Sequence, residues 1–515
     1  MSMDQTPEVI SGLVSRIASS FRPYLKQVVV VGLLILVTAG LGVVNPLLIR
    51  EIFDSGLFPE GGPDLNLIWT LAGVMIGITV ITGIIGIFQT LLTNQVGQKV
   101  MRDLRDRLYR HLQSLSIRFF TGTRTGEIQS RVANDVGGVQ NVVTSTITDI
   151  VSNIVILIST VAAMSILSWK LTLVAIAIVP LFAVLTKVVG TRRRAVSAQV
   201  QKATAEMTAI TEETLSISGI MLSKLFGQQN QEIERFHDQN QQLSNLVIRR
   251  QMTGQTFWAM MQTFFSVSPI IIYVLAAYMI SGIGRDGISA GTIIAFTTLQ
   301  SRLYFPIGTL LRVSVELQSS LALFERIFAY LDIKPEISDS PDAIEMKPEQ
   351  VAGAIKFEGV RVNYTAVGDG LAQPESGHSR EPFWALDGVD FEIKPGQLAA
   401  IVGPSGAGKT TVSYLIPRLY DTTEGRVLID GTDVQKIQLA SLAGMIGYVA
   451  QESYLFHASI RSNLMYSKPD ATHEEMEAAA KAAYIHDRIM EFADGYDTIV
   501  GERGYRMSGG ERQRL

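Results

Sequence analysis

A glycine-rich run near residue 405 has the residue types and spacing of a phosphate-binding loop. Glycines let the backbone curl until its N–H groups face an anion, and a lysine adds positive charge. The run matches G-x-x-x-x-G-K-[ST] without a mismatch and continues into a second threonine: Gly403, Pro404, Ser405, Gly406, Ala407, Gly408, Lys409, Thr410 and Thr411. In such a loop the lysine contacts the outer phosphates, and the hydroxyl of Thr410 can ligate Mg²⁺. The motif therefore predicts a site for a nucleoside triphosphate and Mg²⁺.

A second candidate anion site lies about a hundred residues further along the chain. Ser508, Gly509 and Gly510 precede a predicted helix that begins at Glu511. Small residues ahead of a helix expose backbone N–H groups, and these attract anions. Taken alone, the same run is equally well explained as a turn that leads into a helix.

Strands and a helix are predicted around the first loop. Alternating apolar residues between 355 and 364, and again between 389 and 393, predict antiparallel strands. The continuous apolar run 398–402 predicts a strand buried on both faces, directly before the loop, and residues 411–419 predict the helix after it. Residues 331–352 contain a proline-rich acidic stretch and are predicted to be a linker. The phosphate-binding domain is therefore predicted to span residues 353–515.

The composition divides the chain into two unlike parts. Of the 515 residues, 47% are hydrophobic and 18% charged. Only 46 of the first 330 residues are charged, against 46 of the last 185. The first proportion is low for a soluble domain and the second is ordinary. A net charge of −4 argues against nucleic acid as the main partner, and the absence of cysteine rules out a disulfide framework.

Long uncharged runs predict that the first part, residues 1–330, spans a membrane. A bilayer requires about 20 apolar residues for each spanning helix. Six spans are predicted, at residues 23–53, 65–98, 140–168, 171–191, 251–282 and 288–312. The helices after the second and fourth spans continue as amphipathic arms far beyond the bilayer. The predicted turns of these arms lie at residues 119–136 and 215–236, which contain glycines.

The distribution of lysine and arginine predicts the orientation of the spans. Residues 99–149 and 192–250 each carry eight such residues, whereas the loops on the opposite side carry none or one. The basic segments are expected on the cytoplasmic side, together with both termini and the phosphate-binding domain. Before the first span, Ile10, Leu13, Val14, Ile17 and Phe21 recur at helical spacing. They predict either a helix lying in the membrane interface or a loosely ordered tail.

Six spans, long cytosolic arms and a C-terminal phosphate-binding loop together resemble an ABC exporter half-transporter. The resemblance covers nearly the whole chain and includes Tyr364, Gln451 and the run Met507-Ser508-Gly509-Gly510-Glu511. It also includes residues 125–131 in the first arm and residues 498–504 in the second part. The implied fold is an α-helical polytopic membrane domain followed by an α/β P-loop ATPase domain, which has an antiparallel β subdomain and a helical subdomain.

The resemblance also implies roles for these residues. Tyr364 would stack on the adenine of ATP, and Gln451 would join Thr410 as an Mg²⁺ ligand. Residues 508–511 form the signature loop, which would complete the ATP site of a second half-transporter, identical or different. ATP binding and hydrolysis would then drive export of a small molecule, lipid or peptide across the plasma membrane, the inner membrane in a bacterium.

Three departures from the family pattern bear on this prediction. Met507 and Glu511 replace the commonest Leu and Gln, and residues 366–383 form a polar insertion. The 515 residues also contain neither the Mg²⁺-binding Asp nor the catalytic Glu that the family places after the signature loop. A truncated transporter is the simplest interpretation. The alternative is a non-hydrolysing membrane partner or regulator that binds ATP and contributes its signature loop to a complete subunit.

Overall fold

Two compact units make up the chain. The computed structural model describes residues 7–59, 62–123, 128–129, 134–281, 288–364, 384–451, 453–501 and 507–515. The first unit comprises Met1–Ser114 and Arg124–Ile333, and the second comprises Leu115–Thr123 and Lys334–Leu515. Residues 115–123 therefore belong with the second unit, although the sequence places them inside the predicted membrane domain.

Long helices form the first unit. Numbered in chain order through both units, they are α1 (Pro7–Ser19), α2 (Leu25–Glu51), α3 (Leu65–Ser114), α5 (Val136–Asn141), α6 (Ile147–Leu167), α7 (Trp169–Leu215), α8 (Ile217–Leu225), α9 (Gln229–Ser281) and α10 (Ala290–Leu331). Two π-helical segments, Ile52–Leu57 and Val142–Thr146, adjoin them. The helix predicted near the N-terminus is confirmed as α1.

Helices cover all six predicted spans, and four stretches are long and apolar enough to cross a membrane. These four are Arg22–Leu57, Leu65–Ser114, Val136–Leu167 and Gln229–Ile280, among the described residues. The fourth and sixth predicted spans lie in α7 and α10. Of these two helices, only α7 contains a further apolar stretch among the described residues, the shorter Trp169–Pro180. Six spans thus remain a prediction.

The predicted arms are confirmed as continuous helices. Helix α3 has 50 residues, which is about 75 Å at about 1.5 Å per residue and far exceeds a bilayer core of about 30 Å. Beyond its apolar half, buried side chains recur every four residues at Val100, Leu104, Leu108 and Leu112. This spacing places them on one helical face, where they pack against the rest of the first unit.

The second arm turns back through the short helix α8, as predicted. Ser216 caps this helix, because its hydroxyl accepts a hydrogen bond from the backbone N–H of Gly219 at 2.9 Å. A Cβ at Gly219 would lie 2.1 Å from the carbonyl oxygen of Glu213, so the turn requires glycine there. Gly227, with φ of +65°, ends the turn in a left-handed conformation.

A four-stranded antiparallel sheet forms the framework of the second unit. The strands are β1 (Ile355–Asn363), β2 (Trp384–Ile393), β3 (Glu424–Ile429) and β4 (Thr432–Asp433), in the spatial order β2-β1-β3-β4. Phe357 faces Phe391 across β1 and β2, and their rings stack with centroids 4.4 Å apart. The antiparallel strands predicted from residues 355–364 and 389–393 are thereby confirmed.

Seven short α-helices complete the part of the second unit that the structure describes. They are α4 (Ile117–Gly122), α11 (Lys409–Leu415), α12 (Leu439–Met445), α13 (Ile460–Leu464), α14 (His473–Ala482), α15 (His486–Met490) and α16 (Gly509–Arg514). Helices α11 and α12 pack on the sheet around Leu415, Val427 and Leu442. Helices α13, α14 and α15 surround a separate apolar core that contains Ile460, Ile489 and Met507. The two cores correspond to the predicted sheet-containing and helical subdomains.

The strand predicted at residues 398–402 is wrong. No strand forms there, and Leu398 and Val402 are 97% and 87% exposed. The resemblance also implies a short strand directly before Gln451, and this strand is not formed either; Val449 is 74% exposed. A parallel strand gains its stability from neighbours on both sides and from layers on both faces. Neither segment has a strand partner among the described residues, so its apolar side chains remain exposed.

Gly97 provides a test of the helix packing in the first unit. A Cβ at Gly97 in α3 would lie 2.7 Å from the backbone Cα of Thr144, whereas a Cβ at Gly83 in the same helix meets nothing within 4 Å. We expect Gly97→Ala to destabilise the protein by about 1–3 kcal/mol through overpacking. Gly83→Ala should be neutral or slightly stabilising, because alanine is the better helix former.

Thermal unfolding of both variants in the same detergent measures this difference. Equal melting temperatures for Gly97→Ala and Gly83→Ala would contradict the close packing of α3 on residues 142–146.

Candidate nucleotide-binding site

The predicted phosphate-binding loop connects residue 403 to the start of α11. Gly406 and Gly408 have φ of +83° and +81°, a region that side chains disfavour. A Cβ at Gly408 would also lie 2.6 Å from the carbonyl oxygen of Ala385 in β2. The two glycines therefore allow the tight curl of the loop, and the second also allows it to pack directly against the sheet.

Lys409 points back over the loop. Its ammonium nitrogen donates hydrogen bonds to the carbonyl oxygens of Gly403 and Pro404, at 2.9 and 2.7 Å. An ammonium has three donors, so one remains for an outside acceptor. The side chain of Thr410 is exposed beside it. The loop thus presents a positive charge and, at the next residue, an exposed hydroxyl group.

Tyr364 lies next to this loop, as the resemblance implies. Its hydroxyl donates a hydrogen bond to the Thr411 hydroxyl at 3.0 Å, which joins the end of β1 to α11. Its ring meets the ring of Tyr420 edge to face at 5.1 Å, and Tyr420 stacks on Tyr414 at 5.8 Å. Burial raises the pKa of Tyr364, although the residue is 37% exposed. An aromatic face is therefore held at the rim of the loop.

Tyr420 and Arg118 also contact residues of this site, and the sequence alone did not predict these contacts. Arg118, in α4, donates a hydrogen bond to the carbonyl oxygen of Tyr364 and lies 3.7 Å from the carboxylate of Glu336. Thr121 in the same helix lies 3.4 Å, hydroxyl to hydroxyl, from Tyr420. Because α4 is about 240 residues from Tyr364 in the chain, no local pattern could have indicated this contact.

Gln451 is connected to the site only through the residues that precede it. The side chain is exposed, and no hydrogen bond within the described part of the chain joins it to the phosphate-binding loop. Three residues earlier, the ring of Tyr448 lies 6.2 Å from that of Tyr414, and its hydroxyl lies 3.3 Å from that of Ser413. The segment before Gln451 therefore runs alongside α11.

The predicted signature loop leads into α16, which begins at Gly509 rather than at Glu511. Ser508 and Glu511 form a reciprocal cap: the Ser508 hydroxyl accepts from the Glu511 N–H at 3.3 Å, and the Glu511 carboxylate accepts from the Ser508 N–H at 2.7 Å. Arg488 donates to the other carboxylate oxygen at 2.8 Å. These bonds, that from Ser508 above all, lower the pKa of Glu511. Glu511 thus holds the loop in shape.

The two loops are anchored in different parts of the second unit. The phosphate-binding loop continues into α11, which packs on the sheet, whereas Met507, before the signature loop, is buried in the helical core. The structure describes neither the insertion at 366–383 nor most of residues 125–131. Residues 502–504, which the resemblance includes, also lie outside the described part.

The residues near Lys409 fit ATP with Mg²⁺. Mg²⁺ prefers oxygen ligands, and it is usually bound by few protein groups together with the phosphates. The hydroxyl of Thr410 can provide such an oxygen, whereas the side chain of Gln451 is not joined to the loop within the described part of the chain. Among the described residues, no group of three or more His, Cys, Asp or Glu side chains is placed to hold a metal ion. Thr410 would therefore hold Mg²⁺ only together with the phosphates of a bound nucleotide.

The fold and this site define a membrane protein with a fused nucleotide-binding ATPase domain. Residues 28–307 match the family model described as the ABC transporter transmembrane region, and residues 386–515 match that described as ABC transporter. The chain belongs to the ABC transporter family. With the transmembrane region ahead of the nucleotide-binding domain, it has the organisation of an exporter-type half-transporter and an ATP-binding domain.

Relatives with this organisation match almost the whole chain. It is 32% identical over 508 residues to the "Putative multidrug export ATP-binding/permease protein YgaD" of Bacillus subtilis, covering 98% of this chain and 84% of the relative. It is also 32% identical over 505 residues to the "ATP-dependent lipid A-core flippase" of Desulfotalea psychrophila, covering 98% and 83%. A third similar protein, the "Uncharacterized ABC transporter ATP-binding protein YfiC" of Bacillus subtilis, is 31% identical over 512 residues, covering 98% and 79%.

Lys409→Ala tests the site directly. Removal of the ammonium should weaken ATP binding by at least tenfold, since a charge-assisted hydrogen bond contributes roughly 1.5–3 kcal/mol. Lys436→Ala, which removes an exposed lysine of the same unit, is the matched control. Equilibrium binding of a fluorescent ATP analogue to both variants gives the comparison. Unchanged affinity in Lys409→Ala would refute the assignment of the loop.

Proposed function

We propose that two copies of this chain, or this chain and a different half-transporter, form an ATP-driven exporter. The observation that carries the proposal is the phosphate-binding loop, with Lys409 held over it and Tyr364 at its rim, fused to a helical membrane region. ATP would bind with Mg²⁺ between the loop of one subunit and residues 508–511 of the other. Closure around ATP would switch the helices from inward-facing to outward-facing, and hydrolysis would reset them.

The second arm supports a partner subunit. Large apolar side chains are exposed around α8, at the end of this arm: Leu215, Ile217, Leu222, Leu225 and Phe226, with exposed fractions from 52% to 91%. Exposed apolar patches of this kind are typical of protein–protein interfaces. An apolar turn far from the predicted spans has no lipid to cover it. The resemblance implies that the nucleotide-binding domain of the partner subunit covers this turn.

We place both termini and the nucleotide-binding domain in the cytoplasm. Support comes from the basic segments 99–149 and 192–250, which the positive-inside rule assigns to that side. The relatives are bacterial proteins, and their printed names include multidrug export and lipid A-core flipping. We therefore propose the bacterial inner membrane as the location and an amphipathic or hydrophobic molecule as the cargo.

The subunit arrangement can be tested with introduced cysteines, because the chain contains none. Ser405→Cys and Ser508→Cys should be joined by a short thiol cross-linker in an ATP-dependent manner. When the two single variants are mixed, a species of twice the monomer mass is expected, because the two loops that meet belong to different subunits. A Lys409→Ala background should remove the dependence on ATP.

Ser405→Cys paired with Ser467→Cys is the matched control, since Ser467 is exposed in the same unit but outside both loops. Cross-linking only within one chain, or equal cross-linking in the control pair, would contradict the proposed shared site.

Arg302 favours an anionic or amphipathic cargo. It lies 12 residues after the start of α10, which is about 18 Å along the helix and near the middle of a bilayer core of about 30 Å. Its guanidinium packs so close to α2 that a Cβ at Gly42 would lie 1.9 Å from one of its nitrogens. Such a position is too deep for easy access to a headgroup, so we infer that the charge faces the central path.

Arg302→Ala should reduce transport of anionic compounds relative to neutral ones, whereas Arg302→Lys should largely preserve that preference. Transport into inside-out vesicles and substrate-stimulated ATPase activity measure both effects in the full-length protein. If anionic and neutral compounds respond alike to Arg302→Ala, the residue lies outside the path.

A further inference from the structure

An apolar cavity of about 450 Å³ lies behind the N-terminal helix of the first unit. Helices α1, α2, α3, α6 and α10 surround it, together with residues 142–143. Five of its lining side chains are almost completely buried: Val31, Val96, Val142, Val143 and Phe324. Val14 in α1 and Val28 in α2 also line it but are 50% and 39% exposed. The cavity therefore has a buried apolar floor and an apolar mouth between α1 and α2.

One polar atom of the lining lacks a partner. The hydroxyl oxygen of Thr93 is buried and forms no hydrogen bond with any described residue. A threonine inside a helix commonly bonds to the carbonyl oxygen one turn earlier, and a buried hydroxyl without such a bond is costly. A ligand with an apolar body and one acceptor group would match both the wall and this hydroxyl.

An exposed ion pair joins helix α1 to the end of α10. Arg16 makes two parallel hydrogen bonds to the carboxylate of Asp332, at 2.7 and 2.8 Å, and its guanidinium lies 4.2 Å from the centre of the Phe328 ring. The residues of this ion pair are about half exposed, so water screens it. The wall formed by α1 is thus attached to the end of α10 by a solvent-exposed contact.

Positive charge lies close in the chain to residues that line the cavity. Arg22 directly follows the lining residue Phe21, and Lys26 precedes Val28 by two positions; both are exposed. Neither forms an ion pair with another described residue. The nearby carboxylate of Asp103 is already engaged, because Tyr24 and Arg102 donate hydrogen bonds to it at 2.6 and 2.8 Å. The connection between α1 and α2, two helices that line the cavity, therefore carries exposed positive charge.

We propose that this cavity binds a membrane phospholipid with an anionic headgroup. One acyl chain occupies the apolar space, its ester carbonyl accepts the hydrogen bond of Thr93, and its phosphate lies between Arg22 and Lys26. The volume falls within the range of ligand sites, about 300–1,000 Å³. Basic residues at a membrane surface attract anionic lipids, and the position of Arg22 and Lys26 just before a predicted span supplies that complementarity. The lipid is distinct from the exported cargo.

The proposal is tested by lipid binding to the full-length protein in detergent, followed by native mass spectrometry. The probes are dioleoyl phosphatidylglycerol, which is anionic, and dioleoyl phosphatidylcholine, which has no net charge. We expect the wild type to bind the anionic lipid preferentially. The double variant Arg22→Gln/Lys26→Gln should lose on the order of tenfold or more of that affinity while its binding of the neutral lipid is unchanged. Ala18→Trp should reduce binding of both lipids, because the indole fills the cavity.

Two matched controls accompany these variants. Arg192→Gln/Arg194→Gln removes two exposed charges from α7, and Ile166→Trp adds an indole at a position that is 85% exposed. Both should bind lipid as the wild type does. The charge variants alter only exposed side chains, so they keep the test valid even if Ala18→Trp does not fold.

Several results would overturn the proposal. Anionic preference that survives Arg22→Gln/Lys26→Gln, or that the α7 control removes equally, would show general attraction to the basic surface. Uptake of inorganic phosphate alone, or of a neutral hydrophobic drug in place of either lipid, would identify a different ligand. ATP binding measured in the same samples reports on the nucleotide site separately, so failure of one proposal does not decide the other.

Discussion

A peptide group inside a bilayer has no water with which to form hydrogen bonds, and this constraint governs the first unit. Only a helix satisfies every N–H and C=O within one segment. A helix that reaches the membrane surface can end there, because water satisfies its last four carbonyl groups. Helix α3 instead continues to Ser114, and its packing changes along its length. Its first part is largely exposed, as suits contact with lipid, and its last part buries a stripe from Val96 to Leu112.

The end of this helix leads directly to the nucleotide-binding unit. Only Leu115 and Ser116 separate α3 from α4, and two residues span at most about 7 Å. Helix α4 belongs to the second unit, where Arg118 binds the backbone of Tyr364 beside the phosphate-binding loop. A connection this short has little slack.

Residue patterns predicted the elements whose stability is local, and they failed where stability depends on distant partners. The loop at 403–410, the antiparallel strands and the long helices follow from glycine spacing and apolar periodicity. Residues 398–402 have the composition of a buried strand, but a strand also requires neighbours, and none lies beside them in the described chain. Arg118 and Tyr420 were missed because each acts through a contact far away in sequence. Six spans, the subunit arrangement and the roles of Gln451 and residues 508–511 stay predictions.

The two hydrogen bonds of Lys409 to its own loop affect how readily the loop can bind a phosphate group. A free lysine side chain samples many rotamers, and immobilising one costs about 1.5–2 kcal/mol of conformational entropy. Here that ordering takes place when the domain folds, because the carbonyl groups of Gly403 and Pro404 already hold the ammonium. An arriving phosphate therefore meets a charge that is already oriented. Less of the binding free energy is then needed to order the lysine, which favours affinity.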